Sequence, residues 1–554
     1  MLQITCHGGV GEIGGNKILL EDGGSALMLD FGKRMGAINA FFDEFLPPRT
    51  NSCLRDLLCL GLLPEIPGIY RHDLLNHAGA WDHLSTKLPD HARRLFSSDL
   101  ESYDDHTRKH GPRIDGILLS HAHADHVQDL CFVDRRIPVY CSQVTYAILQ
   151  AAQDVGKNKF DSDICLCRER RWEACGSRST FPGESKIDTD STDGDRDLQI
   201  LEPFTRQQVG GFAVEPVPVD HSVPGACAFI IGCPSGQTVF YTGDLRFHGA
   251  SSEATSRLRE RTAGLRPDVL ITEGTRIADD DGNVTTAGDN EADVERKITD
   301  IVRGCAGLAV VDFGWKDTTR FQTILSVAKS TGRVLAVSPK VAYLWDLLRR
   351  IDPVAYPDFA HGGCVRVYLE RSDSMTYSLA DYSDAKHTAG LRVDWGEKSQ
   401  DMRKAMADGD EDYTGPRLCH YRDGVRAYDI AADPSRYILH AGFFDMNELF
   451  DISPPQGSVY ISAITEPFCD EMDLDHKKLK HWLDHFGLDY GGERIEHHHV
   501  SGHANGTDLL DFIRRADPRL VIPIHTERPE AFERELGPRV PVGLPRVDVP
   551  VMDL

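Results

Sequence analysis

Short apolar runs separated by glycine pairs and polar turns open the chain. LQITCHGG (residues 2–9), NKILLE (16–21) and SALMLDFG (25–32) read as successive strands with tight turns between them. A charged stretch with helical patches, residues 33–112, follows and reads as an insertion. The apolar run 117–119 has the length of a buried strand and ends at SHAHADH; residues 137–141 predict another strand, and 144–152 a helix. Strands are predicted at 211–219, 226–232 and 238–241. From residue 251 onward strand and helix patterns alternate: DVLITEG (268–274), a helix near 290–302, GLAVVDFG (307–314), a helix near 320–329, RVLAVSPK (333–340). That alternation predicts a parallel α/β unit. The final segment reads strand, loop, helix, strand through EHHHVSGHA (496–504), DLLDFIRRA (508–516) and RLVIPIH (519–525). Residues 182–197 read as a solvated Asp-rich loop whose acids miss the EF-hand positions, and 383–424 as polar and irregular. No repeat of 20–50 residues is visible, which argues against a solenoid or propeller.

Composition narrows the class. With 554 residues, 41% hydrophobic and 27% charged, the chain is that of a folded protein of several domains. Sixty-one basic against 86 acidic residues give a formal charge of −25, so a globally basic nucleic-acid coat is excluded. Nucleic acid stays open only through a local basic groove or bound cations. No signal peptide or membrane span is apparent, and 14 scattered cysteines fit reduced thiols in a cytoplasm. Cys165, Cys167 and Cys175 lack a fourth ligand at convincing spacing and read as free thiols.

The chemistry concentrates after the 117–119 strand. His121, His123, Asp125 and His126 put four ligand-type residues into six positions. Alternate residues of an extended chain share a face, so His121 and His123 can point together. A following turn can aim Asp125 and His126 at a neighbouring point. Imidazole with carboxylate suits zinc or manganese better than a thiolate site does.

HxHxDH resembles the signature of the metallo-β-lactamase superfamily, and the later blocks resemble it in order: Asp30 closing ALMLD, His221 in VPVDHS, Asp244 in FYTGD. VSGHA and IPIHTE, with LITEGT before them, look like motifs B, C and A of the β-CASP nucleases. The GGVGEIGG, HSVP and TGD blocks are similar to the ribonuclease J-like branch. The resemblance implies an α/β fold, a metallo-β-lactamase αββα sandwich carrying an inserted α/β β-CASP cap. It places the sandwich at 1–250 and 491–554 and the cap at 251–490. It also implies that His121, His123 and His221 hold one divalent ion (Zn or Mn), that Asp125, His126 and His525 hold a second, and that Asp244 bridges them. Asp30 takes a supporting role behind the metals.

By the same resemblance His503 contacts the scissile phosphate or protonates the leaving oxygen, Gly502 lets backbone approach it beside Ser501, and Glu273 orients a ligand or assists proton transfer. The implied function is a metal-dependent ribonuclease, endo- and/or 5′→3′ exonucleolytic, acting on single-stranded RNA as a cytoplasmic enzyme; a homodimer is one assembly open to it. A β-CASP DNA nuclease and a small-molecule metallo-hydrolase are the alternatives. In the family a Phe-Ala-Ser-Asn…Arg stretch helps hold an RNA 5′-phosphate. Here DFGWKDTTR places Trp315 and Lys316 there, with Arg320 as the retained Arg, and an exposed loop is the rival reading. His497, His498 and His499 read as strand residues rather than ligands.

Overall fold

A computed structural model describes residues 1–554 except 44, 51, 78–80, 82–88, 156–162, 175–184, 189–191, 360–362, 372–423, 466–469 and 554. The irregular stretch expected at 383–424 and Cys175 therefore lie outside the described residues, Gly424 excepted. Two sheets face each other. The first runs, edge to edge, through Leu198–Ile200, Val139–Cys141, Gly116–Leu118, Ser25–Leu29, Lys17–Asp22, Gln3–Gly8 and Pro550–Asp553. The turn between Lys17–Asp22 and Ser25–Leu29 is Gly23-Gly24, both at positive φ. A two-residue hairpin of this twist demands such residues. The second sheet runs Gln207–Val209, Phe212–Pro218, Cys227–Gly232, Thr238–Tyr241, Val269–Glu273 and Val521–Ile524.

Alternation decides what each strand buries. Ile4, Ile18, Leu20, Leu27 and Leu29 of the first sheet meet Phe212, Phe229, Ile231, Tyr241 and Ile522 of the second in one core. The opposite faces take helices. Phe240, Leu270 and Val521 pack on Leu509, Phe512 and Ile513 of helix Gly506–Ala516. Met28 and Ile117 share a core with Leu54, Leu57 and Tyr70 of the expected insertion, which therefore roofs the first sheet. The result is the four-layer αββα sandwich expected. Each such aromatic or leucine withdrawn from water contributes roughly 1.5–3 kcal/mol.

A third sheet is all parallel, in the order Val365–Val367, Val334–Val337, Tyr437–His440, Ala309–Asp312, Val459–Ser462. Its strands are mostly apolar, because both faces are covered, with polar residues at the carboxyl ends (Asp312, His440, Ser462) and Arg366 on the edge strand. Helices Glu291–Gly304, Thr318–Thr331 and Pro339–Ile351 share the largest core with one face, and Ile430, Leu449 and Leu483 cover the other. Asn290 and Asp293 form a reciprocal cap at the start of the first of these helices.

Three local expectations differ from the structure. The stretch 251–274 sits with the sandwich: Val269–Glu273 pairs with Thr238–Tyr241 on one side and Val521–Ile524 on the other. Its hydrophobic run is long enough for either parallel sheet, so sequence could not assign it. Within 182–197, residues Ser185–Asp188 and Thr192–Asp195 pair with Arg171–Ala174 and Leu166–Arg168 as short hairpins. EHHHVSGHA is extended but makes only an isolated bridge, His497 with Ser462. Among the described residues no helix is long and apolar enough to cross a membrane, and none of the described cysteines forms a disulfide.

Candidate metal centre

Strand ends deliver the ligands to one edge of the sandwich. Asp30 follows Ser25–Leu29, the HxHxDH turn follows Gly116–Leu118, His221 follows Phe212–Pro218, Asp244 follows Thr238–Tyr241, Glu273 ends its strand and His525 follows Val521–Ile524. Gly243, at φ +54°, makes the turn into Asp244. A Cβ there would lie 2.7 Å from Cβ of Ser120, so the approach of the two sheets requires glycine. Asp30 and His525 are non-glycine residues in the left-handed region, at φ +54° and +50°. Each such position costs about 1–3 kcal/mol and persists where its surroundings over-determine it. Asp30 meets that condition: it accepts from Ser120 N (2.7 Å), Ser120 Oγ (2.7 Å), Tyr241 Oη (2.5 Å) and His126 Nδ1 (2.7 Å).

Those partners fix tautomers. His126 gives Nδ1–H to Asp30 and turns Nε2 inward, buried with no hydrogen-bond partner. Burial opposes charge on this ring, but Asp244, Asp125 and Asp30 outweigh burial and hold it well above the usual histidine range, so a cation bound there would displace a proton. His221 gives Nδ1–H to the Gly502 carbonyl at 2.6 Å. Thr275 Oγ1 donates to the His525 carbonyl (3.2 Å) and so accepts from His525 Nδ1 (2.8 Å). Ser120 Oγ donates to Asp30 and accepts from His121 Nδ1 at 3.0 Å. Four imidazoles thus turn Nε2 inward, the arrangement that supporting hydrogen bonds create at metal sites.

The inward atoms converge closely. Nε2 of His121 and Nε2 of His221 each lie 3.1 Å from Nδ1 of His123. Asp244 Oδ2 lies 3.2 Å from His126 Nε2, 3.5 Å from His525, 3.7 Å from His121 and 3.9 Å from His221, while its Oδ1 is buried without a partner. Asp125 Oδ2 is 3.1 Å from His525 Nε2 and 3.9 Å from His126 Nε2. Among the described residues four overlapping groups emerge that could each hold a cation: His121, His123, His221; Asp125, His126, His525; and two that contain Asp244, one with His121 and His126 and one with His503 and His525. Burial, reinforced by neighbouring imidazoles, drives His121 and His221 well below the usual histidine range, and burial takes His123 to about 4. These rings are therefore neutral, the form that ligates. Burial pulls the other way on Asp125 and Asp244, yet the imidazoles around them hold both below the carboxylate range. An anionic carboxylate pair and neutral imidazoles fit a divalent cation.

His503 stands beside this cluster, Nδ1 at 2.9 Å from Glu273 Oε2 and 3.8 Å from Asp244 Oδ2. Burial opposes its charge, but Glu273, Asp244 and Asp125 outweigh burial and raise it to about 9. Buried Glu273 is fixed by the Leu245 amide at 3.0 Å. A Cβ on Gly502 would lie 2.9 Å from His221 Cε1, so glycine is needed where this loop crosses the metal ligands. Ser501 Oγ accepts from the His503 amide at 3.2 Å.

The structure separates the two basic residues expected at the substrate. Lys316 Nζ donates to the Ala122 carbonyl, between His121 and His123, at 3.2 Å, and burial lowers it to about 8. Arg320 is fully buried on helix Thr318–Thr331 and points Nη2 at Glu291 Oε1, 3.4 Å away. Arg246 is a residue that motif reading passed over. Buried beside Asp244 in sequence, it donates to Asp220 Oδ1 at 3.2 Å and to the Ser501 carbonyl at 3.4 Å, tying the His221 and His503 loops together. Its position two residues after Asp244 was the available signal. His497, His498 and His499 join none of the ligand groups found among the described residues.

Known proteins resemble this chain in sequence and in fold. Residues 95–296 match the family model described as a beta-lactamase superfamily domain, and residues 493–536 that of a Zn-dependent metallo-hydrolase RNA specificity domain. A ribonuclease J of Sinorhizobium meliloti is 26% identical over 246 residues, 43% of this chain and 35% of that protein; the chain thus spans about a third of this relative's length. A crystal structure of a protein of unknown function from Enterococcus faecalis V583 has the same fold, at a TM-score of 0.63 and 19% identity, over 99% of both chains. Fold and ligand cluster together define a member of the metallo-β-lactamase superfamily. Within it, the two family models and the ribonuclease J relative support the β-CASP, ribonuclease J-like family.

Proposed function

We propose that this protein hydrolyses RNA phosphodiester bonds with the aid of two divalent ions, zinc or manganese. The observation that carries the reading is the convergence of five imidazoles and two carboxylates on one point, with His503, inside the segment matching an RNA specificity domain, at its rim. His121, His123 and His221 would hold one ion, Asp125, His126 and His525 the other, and Asp244 would reach both. Bound there, the ions supply Lewis acidity toward a phosphoryl oxygen and a nucleophilic water at neutral pH.

The chain's own groups do the rest. His503, oriented by Glu273, offers an imidazolium N–H to the departing oxygen. The Ser501-Gly502 backbone lets a phosphate approach. Lys316 holds a lone ammonium over the His121–His123 turn, where a phosphate oxygen would enter, so local positive charge offsets the acidic surface. Arg320 acts behind this surface, through Glu291. The same reading gives a cap at 251–490, less the 251–274 stretch that pairs with the sandwich, over a sandwich built from 1–250 and 491–554. It also gives single-stranded RNA as substrate, a cytoplasmic location and a homodimer, with cleavage endo-, 5′→3′ exonucleolytic or both.

The test is cleavage of 5′-monophosphorylated, 5′-hydroxyl and circular RNA, with matched DNA, in added Mn²⁺ or Zn²⁺. Stepwise nucleotide release marks an exonuclease and cut circles an endonuclease; cleavage of DNA alone would replace RNA as the substrate.

A further inference from the structure

The parallel cap sheet has a topological switch point. From Ala309–Asp312 the chain crosses to Val334–Val337 on one side, whereas from Tyr437–His440 it crosses to Val459–Ser462 on the other. These two strands are neighbours, so their following loops part and leave a crevice at the carboxyl ends, where open α/β sheets bind ligands. A cavity of about 680 Å³ lies there, within the range of small-molecule sites. It adjoins the metal centre: Trp315 lines it, and the next residue, Lys316, donates to Ala122 between two metal-ligating histidines.

Its lining does not suit a phosphate. Among the described lining residues, Asp312, Glu370, Asp445 and Asp475 face one ammonium, Lys340, with Lys478 over the Phe443 ring 5.9 Å away. His440 and His476, which also line it, are held neutral by burial. Aromatic faces are abundant. Phe313 stacks on His440 at 4.0 Å, Phe443 and Phe444 stand edge to face at 5.2 Å, and Phe444 is 86% exposed at the rim. A large ring left in water beside a crevice is a platform for stacking a flat ligand. On the floor, Asp312 Oδ2 accepts from Tyr460 Oη at 2.9 Å. A Cβ on Gly442 would come within 2.9 Å of the other oxygen, so glycine keeps that oxygen clear.

We propose that this crevice binds one unpaired nucleobase through its amine edge and excludes a terminal phosphate. The inference rests on the RNA reading above and adds to it a specificity that the resemblance does not supply, since the family's stretch at this place serves a 5′-phosphate. Carboxyl oxygens accept from the exocyclic amines of cytosine, adenine and guanine. Uracil turns two carbonyls toward the same acids and is disfavoured. Burial pushes the Asp312 carboxyl up to about 7, so near neutrality it also donates, matching the paired amine and ring nitrogen of cytosine or adenine.

Calorimetric titration of the full chain with cytidine, adenosine, uridine and cytidine 5′-monophosphate tests this. Cytidine and adenosine should bind about tenfold tighter than uridine, the scale of one charge-assisted hydrogen bond. The monophosphate should bind more weakly than cytidine. Phe444→Ala removes only an exposed ring and should weaken every nucleoside about tenfold; Asp312→Ala, which leaves neither acceptor nor donor on the floor, should erase the preference over uridine. Tighter binding of the monophosphate, equal binding of uridine, or no saturable binding overturns the proposal. Nucleosides contain no phosphodiester, so the outcomes separate: nucleoside binding with uncut RNA defeats only the nuclease reading, and cut RNA without nucleoside binding defeats only this one.

Discussion

Asp30 takes the Nδ1 proton of His126 at 2.7 Å with both side chains fully buried, and thereby decides which nitrogen of that ring faces the metal centre. The same carboxylate holds Ser120 and Tyr241. One residue thus locks the first sheet, the second sheet and a metal-facing imidazole into a single geometry. Asp30→Asn keeps a side chain that tolerates the left-handed backbone but loses an acceptor for a charged network. Metal affinity should fall about 10–100-fold with the fold retained, measured by metal content after dialysis against a graded chelator series.

His123 Nδ1 lies 3.1 Å from Nε2 of His121 and 3.1 Å from Nε2 of His221. His123→Ala should abolish cleavage and reduce bound metal while the far-ultraviolet circular dichroism stays unchanged. A variant that cleaves normally would remove the two-ion assignment.

On the proposed reading, His503 and Glu273 serve proton transfer, although His503 also stands within reach of Asp244 and His525 in a candidate ligand group. His503→Ala should lower kcat by about 10²–10⁴-fold with bound metal unchanged. Glu273→Gln should lower kcat less, because Glu273 acts by holding His503 in place; equal metal loss in both variants would instead mark them as structural.

Asp312 gives a stability prediction with a definite sign. Its folded carboxyl titrates near 7, raised by burial and by Asp445 against the Tyr460 hydrogen bond, compared with an ordinary value of 3.8. Between about pH 4 and 7 the folded state therefore holds a proton that the unfolded state has released, so its contribution declines as pH rises through that window. Urea unfolding at pH 5 and pH 8 should show a larger loss for the parent than for Asp312→Asn; an equal loss would contradict the buried assignment.

The ligand set was legible because each ligand ends an apolar run that could only be a buried strand, and HxHxDH packs four ligand types into one turn. The sandwich was legible for the same reason. Long-range pairing was not: DVLITEG reads equally well as a cap strand or a sandwich strand, and only its partners at 238–241 and 521–524 decide. Burial of charge was also hidden. Arg320 reads as a phosphate contact along the chain, yet Glu291, 29 residues earlier, draws it inside. The Arg246–Asp220 tie spans 26 residues and depends on two loops meeting at the sandwich edge.

The central claim is tested most directly by incubating the metal-stripped protein with labelled single-stranded RNA, adding Mn²⁺ or Zn²⁺ stepwise, and running His123→Ala in parallel. The account predicts cleavage that appears only with added ion, saturates, and is absent in the variant. Cleavage that persists in excess chelator, or that His123→Ala retains, would contradict it, as would RNA left intact at every ion concentration.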